Sequence, residues 1–193
     1  MERHQTLKSF LADWAGTSAD GDNATNLAIA ETINKLCGAA ASIADLIAQG
    51  SLAGEMAAIV GDNADGDAQK FLDVKSNELI FGALRDSPVA VMGSEEDDEA
   101  VALNEGAPLA VAVDPLDGSS NIETNVSIGT IFSIFPVATA RDSSPAKVFY
   151  QPAATNWRPV LWFMVPRPPL SLPLVLAPMW RRLIATRVSL WSR

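Results

Sequence analysis

Cysteine is almost absent from these 193 residues: Cys37 stands alone, so no disulfide can form within the chain. That usage fits a reducing compartment. Positive charge is also scarce. Fourteen Lys and Arg face 23 Asp and Glu, for a net charge of −9, which excludes a basic groove for nucleic acid. Met1–Phe10 is polar and has no apolar core, so no signal peptide is expected. A long uninterrupted apolar run is missing too. Val160–Trp180 comes nearest, but Pro166, Pro168, Pro169, Pro173 and Pro178 interrupt it and Arg167 lies inside it. A spanning helix needs about 20 predominantly apolar residues with every backbone group satisfied, so no membrane span is expected.

What is present is an ordinary globular composition, 48% hydrophobic and 19% charged, long enough for one or two domains with a sizeable core. The average hides a split. Residues 1–148 hold all 23 acids and 8 basic residues, net −15, whereas residues 149–193 hold 6 Arg and no Asp, Glu, Lys or Gly. Those last 45 residues also carry 7 of the 12 prolines and 4 of the 5 tryptophans. A break so sharp divides the chain into a domain over residues 1–150 and an aberrant Pro/Arg/Trp-rich tail over residues 151–193.

Within the first part, Thr6–Trp14 reads as a short amphipathic helix, with Leu7, Phe10, Leu11 and Trp14 on one face. Gly16–Asn23 reads as a polar turn. Leu27–Gln49 carries the strongest helical period, through Ile29, Ile33, Leu36, Cys37, Ala40, Ile43 and Ile47, with Gly50 as its stop. Cys37 sits on that stripe, which predicts packing rather than reactivity. Gly61–Gln69 reads as a loop and Val74–Arg85 as a helix. Pro88–Met92, Leu109–Val113 and Ser127–Val137 read as strands. Helices interleaved with strands predict a layered α/β or α+β domain.

Two of these strands deliver carboxylates at their carboxyl ends, where open α/β sheets place ligands. The first supplies Glu95 and Glu96, the second Asp114 and Asp117, and Asp67 and Asp73 lie upstream. Gathering these groups without cations costs several kcal/mol in repulsion and desolvation. Oxygen-only donors suit Mg²⁺ or Mn²⁺, and two such ions can clamp the attacking and leaving oxygens of a phosphoryl transfer. Asp117-Gly118-Ser119-Ser120-Asn121 adds a glycine turn and two hydroxyls, which can hold a phosphate, the more so if a helix follows. Bland readings stay open at this point. Glu95–Glu99 can be a solvated charge run, with Asp97, Asp98 and Glu99 at the surface. The Asp-Gly step can be a hairpin turn.

The longer string Val113-Asp-Pro-Leu-Asp-Gly-Ser-Ser-Asn-Ile122, with Ser94-Glu95-Glu96 upstream, resembles the class I fructose-1,6-bisphosphatases. Gly66-Asp67, Leu72-Asp73-Val74, Ser76-Asn77 and Val126–Phe132 carry the resemblance further, over roughly residues 27–151. Inositol-monophosphatase-like enzymes share the Asp-Pro-x-Asp-Gly core but usually have Thr after Gly. The resemblance implies a layered α/β sandwich of the sugar-phosphatase type, here its N-terminal half only. It implies metal ligation by Glu95, Asp114, Asp117 and the Leu116 carbonyl. Asp67, Asp73 and Glu96 would position or deprotonate the attacking water, and Asp117, Gly118, Ser119 and Ser120 would cradle the phosphate. The implied activity is Mg²⁺-dependent (or Mn²⁺-dependent) hydrolysis of the 1-phosphate of fructose 1,6-bisphosphate, in gluconeogenesis or the Calvin cycle. The implied setting is a cytoplasmic, commonly tetrameric enzyme whose partner is a small sugar bisphosphate. An inositol-monophosphatase-like phosphatase and an inactive fragment are the rival expectations.

The resemblance also implies what is missing. Family members are much longer, and their second half carries a further acidic metal ligand and the residues that grip the sugar and its 6-phosphate. The animal-type AMP pattern Gly-Glu-Leu-Thr is absent, so AMP inhibition is not expected. The family continues as Gln-Pro-Gly-Arg-Asn and then Ala-Ala-Gly, where this chain reads Gln151-Pro-Ala-Ala-Thr-Asn-Trp-Arg-Pro159. Removing one cytidine from a suitable coding string for the former yields the latter. Residues from about 153 onward are therefore expected to be a frameshifted tail without an evolved fold.

Overall fold

A computed structural model describes residues 5–17, 22–49, 64–121, 128–137, 145–150, 160–165 and 174–177. Its helices are α1 (Leu7–Thr17), α2 (Asn23–Gln49) and α3 (Ala64–Arg85). Its strands are β1 (Val89–Ser94), β2 (Val101–Ala102), β3 (Leu109–Asp117), β4 (Ile128–Pro136), β5 (Val160–Val165) and β6 (Leu174–Ala177). Single 3₁₀ segments span Ser119–Asn121 and Pro145–Tyr150.

The helix starts follow from local capping. The Thr6 hydroxyl accepts the Ser9 amide at 3.2 Å, which caps α1 where the sequence places its start. Asp22 caps α2 by accepting the Thr25 amide at 2.8 Å and the Thr25 hydroxyl at 2.7 Å. These bonds hold the Asp22 carboxyl below its ordinary range. The cap lets α2 begin at Asn23, four residues before its apolar period becomes visible. Two expectations need correction. The polar turn placed over 16–23 is helical at both ends, through Thr17 and from Asn23, and its centre at 18–21 lies outside the described residues. The loop placed over 61–69 is helical from Ala64. Aspartate and glycine favour turns in sequence statistics, yet acidic residues in general are also compatible with a helix's first turns. Gly50, the expected stop of α2, is outside the described residues.

The apolar period of α2 buries Ile29, Ile33, Leu36, Ala40 and Ile43 almost completely. They join Leu7 and Leu11 of α1, Leu72, Ile80 and Leu84 of α3, and Leu109, Val111, Val113, Phe132 and Ile134 of the sheet in one core. Helix α2 is long and apolar enough to cross a membrane by length and composition, yet its apolar stripe is occupied by this packing. Cys37 lies in the same core, and burial pushes its thiol up to about 12.

The sheet runs β2-β1-β3-β4-β5-β6. Strand β1 pairs antiparallel with β2 and parallel with β3, and β3 pairs antiparallel with β4. The third helix, its connection and β1 are stapled by Asn104. Its side-chain amide donates to the carbonyls of Ser87 at 2.9 Å, Val89 at 3.0 Å and, more weakly, Leu84 at 3.5 Å. On the face opposite the helices, the ring of Phe149 meets Phe135 edge-on with centroids 5.7 Å apart. It also fills the space over Gly93, where an added Cβ would come within 3.1 Å of it.

Two segments of the tail pair as strands, β5 onto β4 from Ile128↔Val165 to Ser133↔Val160, and β6 onto β5. An open sheet edge accepts extended apolar chain through main-chain bonds alone, so this pairing is indifferent to how the tail's sequence arose.

Two outcomes test this packing. Cys37 is expected to resist a thiol reagent at pH 8 in the native chain and to react at once in denaturant; rapid native labelling would contradict the buried thiol. Asn104→Ala strips a donor from three carbonyls and is expected to cost about 1–3 kcal/mol, read as a lower urea midpoint with unchanged slope.

Candidate active site

Parallel register brings the carboxylates together. Ser94 pairs with Val113, and the Glu95 amide donates to the Val113 carbonyl at 3.0 Å, so Glu95 falls beside Asp114. Because Val113 faces the helical core, alternation sends Asp114 to the opposite face. Asp117 would point away from Asp114 in a regular strand, being three residues on. It does not, because β3 bulges there: Asp114 pairs with Ile131 and Asp117 with Gly129, so two residues, Pro115 and Leu116, oppose Thr130 alone. The extra residue restores parity, and both aspartates share one face. Proline suits the bulge since it has no amide to lose from the ladder.

Hydrogen bonds fix the bulge. The Leu116 amide donates to Asp114 Oδ1 at 3.1 Å. The Thr130 hydroxyl, on a residue 1% exposed, donates to the Pro115 carbonyl at 2.9 Å. Beyond Asp117, Gly118 takes φ 79°, a left-handed conformation that other residues reach only with strain. A 3₁₀ turn over Ser119–Asn121 follows. Among the described residues, the helix expected after the phosphate turn is this single 3₁₀ turn. Ser119 is half-buried and Ser120 exposed.

Helix α3 closes the site from the other side. The Ser119 hydroxyl donates to Asp73, while one oxygen of Asp73 is buried without a partner. Ser94 donates to Asn77 Oδ1 at 2.8 Å, and the Glu96 amide donates to Ser94 Oγ at 3.3 Å, so α3 also pins the turn that carries Glu95 and Glu96. Both glutamates are exposed, as are Asp98 and Glu99, whereas Asp97 is half-buried. Asp67 falls in the first turns of α3, and its side chain is outside the described residues.

The electrostatics follow from this crowding. Burial, then the neighbouring Glu95 carboxyl, and to a smaller extent Asp117, push Asp114 up to about 7, against a partial offset from the Leu116 amide. Burial and Glu95 raise Asp73, against the Ser119 hydrogen bond. Burial, Asp73, Glu95 and Asp97 raise Glu96. No cation appears among the groups acting on these three. The ion pair within the described residues, Lys75–Glu78 at 2.8 Å, lies on the exposed face of α3.

Hard oxygen donors, mutual repulsion and a buried unpartnered carboxylate oxygen are the chemistry that Mg²⁺ or Mn²⁺ relieves. The residues fit such an ion by donor type and charge. They do not form a finished cage, since among the described residues no three acidic, histidine or cysteine side chains close on one position. Of the residues expected from the sequence, Asp73, Glu95, Glu96, Asp114, Leu116, Asp117, Gly118, Ser119 and Ser120 come together at one end of the sheet. Asn77, Ser94 in its bonding role, and Thr130 were not singled out. All three lie in quoted motifs, but only the fold shows what their side chains hold.

The raised Asp114 has a measurable sign. From about pH 4 to 7 the folded chain keeps a proton that the unfolded chain, with the ordinary value of 3.8, has released. Stability without metal therefore falls as pH rises through that window. Asp114→Asn is expected to flatten the slope, so urea midpoints at pH 5 and pH 8 should differ less in the variant than in the parent. Equal slopes would show that Asp114 is not the titrating group.

Comparison with known proteins gives the family and the fold. The family model "Fructose-1-6-bisphosphatase, N-terminal domain" matches residues 6–155. A class 1 fructose-1,6-bisphosphatase of Azorhizobium caulinodans is 47% identical over 153 residues, covering 78% of this chain and 45% of that protein. One from Nitrobacter hamburgensis is 44% identical over 176 residues, covering 91% of this chain and 48% of its own length. The chain thus spans less than half the length of these curated relatives. The crystal structure of Leishmania major fructose-1,6-bisphosphatase in apo form superposes with a TM-score of 0.66 at 22% identity, over 89% of this chain and 49% of that one, which shows a shared α/β fold. On the family match and these identities, the chain belongs to the fructose-1,6-bisphosphatase family.

Proposed function

We propose that this chain carries the metal- and phosphate-binding part of a fructose-1,6-bisphosphatase, whose reaction is hydrolysis of the 1-phosphate of fructose 1,6-bisphosphate. The observation that carries the reading is that Glu95 and Asp117 both act on the Asp114 carboxyl, beside the Gly118 turn. Glu95, Asp114, Asp117 and the Leu116 carbonyl would hold divalent cations, Mg²⁺ or Mn²⁺. When bound, such ions neutralise the phosphoryl oxygens and make water more acidic.

The chain's own groups do the rest. Glu96 and Asp73 have a raised proton affinity from burial and like-charge neighbours, so each can take the proton that water loses as its oxygen bonds to phosphorus. Ser119 donates to Asp73 and so orients its free oxygen. Amides of the Gly118–Ser120 turn and the Ser120 hydroxyl would donate to the phosphate, and the sugar oxygen leaves as its bond to phosphorus breaks. Asp67, near the start of α3, is assigned to the water-positioning set. A soluble, cytoplasmic enzyme of gluconeogenesis or the Calvin cycle, tetrameric when whole, is the setting that fits. Residues 153–193 are read as a frameshifted tail, which resequencing codons 148–160 tests directly: an additional nucleotide restoring Gly-Arg-Asn supports it, and the sequence as given removes it.

The function is tested by titrating the chain with Mn²⁺ in the presence and absence of inorganic phosphate, and by assaying metal-dependent phosphate release from fructose 1,6-bisphosphate and from inositol monophosphate. Metal binding strengthened by phosphate is expected, and Asp117→Ala should abolish it. Release, where it occurs, should favour the fructose substrate. No metal binding, or binding untouched by Asp117→Ala, would overturn the assignment.

A further inference from the structure

We infer that Thr130 is a positioning residue for the carboxylate loop, acting through the Pro115 carbonyl. A β-bulge leaves one residue's main-chain groups outside the ladder. In β3 those groups belong to Pro115 and Leu116, which face Thr130 across the pair. The Leu116 amide is taken by Asp114 Oδ1. The Pro115 carbonyl is taken by the Thr130 hydroxyl at 2.9 Å, and Thr130 is almost fully buried. Without that donor the carbonyl would be left in a closed environment with no partner and would turn to find one. A rotation of the 115–116 peptide swings the Leu116 amide away from Asp114 and alters the offset between Asp114 and Asp117.

The choice of side chain is specific. The position lies inside β4, where β-branched residues fit, and valine would fill the same volume. Threonine differs from valine there only in supplying the donor, on the residue directly opposite the bulge. One hydroxyl therefore fixes three things: the bulge's register, the Asp114–Leu116 bond, and the shared face of the two aspartates.

The test uses Thr130→Val, Thr130→Ser and Thr130→Ala in the full chain, with two readouts. Amide hydrogen exchange is followed over residues 114–118, with 109–113 of the same strand as internal control. Mn²⁺ affinity is measured by calorimetry, and this arm rests on the proposed metal site. Thr130→Val is expected to speed exchange at Leu116 about tenfold, to leave 109–113 unchanged, and to weaken Mn²⁺ by about 10–100-fold, as loss of a residue supporting a ligand does. Thr130→Ser keeps the donor and should match the parent in both. If Thr130→Val fails to fold, Thr130→Ala is read in its place. Parental behaviour of the valine variant overturns the inference. So does faster exchange spread evenly over 109–118, or an equal defect in the serine variant, since either makes Thr130 a packing residue. If the parent itself binds no Mn²⁺, the functional reading fails and the exchange result alone decides the role of Thr130.

Discussion

The site depends on holding like charges side by side. Parallel pairing of β1 with β3 sets Glu95 against Asp114, an arrangement that carboxylates in water would avoid. The force that holds it comes from elsewhere. Val89, Met92, Leu109 and Val111 have no exposed surface, and each buried aliphatic side chain of that size contributes roughly 1.5–3 kcal/mol. The strands are locked along their apolar length, and the repulsion collects at the end, where β1 and β3 run out of hydrophobic partners. That end is the place where a cation stabilises most, because it removes a cost the rest of the sheet has already met.

Register alone would not build a site. Asp114 and Asp117 are spaced for opposite faces, and the bulge at Pro115–Leu116 turns them to the same one. Gly118 then reverses the chain at a φ of 79°, and the 3₁₀ turn brings Ser119 back to Asp73 on α3. One helix, two parallel strands and a bulge thus meet through a few side-chain bonds. Ser94–Asn77 and Thr130–Pro115 are the two that tie the acidic turns to the scaffold.

Much of this was legible in the sequence, for identifiable reasons. The period of α2 is long and regular, so Ile29 through Ile43 announce their buried face. Strands β1, β3 and β4 are short apolar runs, the first two ended by Gly or acidic residues, and the string from Val113 to Ile122 marks the carboxylates at once. The start of α3 was hidden because Asp65, Gly66 and Asp67 suit both a loop and a helix's first turn, and only the tertiary setting chooses. The start of α2 was hidden because Asp22 caps it from outside the apolar period. Contacts that span the chain, such as Ser119 to Asp73, leave no local pattern at all. Nor does a bulge, which exists only relative to the partner strand.

Charge also orders events at the proposed site. Residues 1–148 carry a net −15, and the acidic turns concentrate part of it where a phosphate must approach. A sugar bisphosphate is itself strongly anionic, so the bare site repels it at short range. None of the groups acting on Asp73, Glu96 and Asp114 is a cation. On the proposed reading bound metal supplies the attraction, and cation and phosphate would each strengthen the other's binding by the same factor. Burial and the Glu95 carboxyl raise the proton affinity of Asp114, so a cation bound there has to displace a proton, and metal binding at the proposed site strengthens as pH rises.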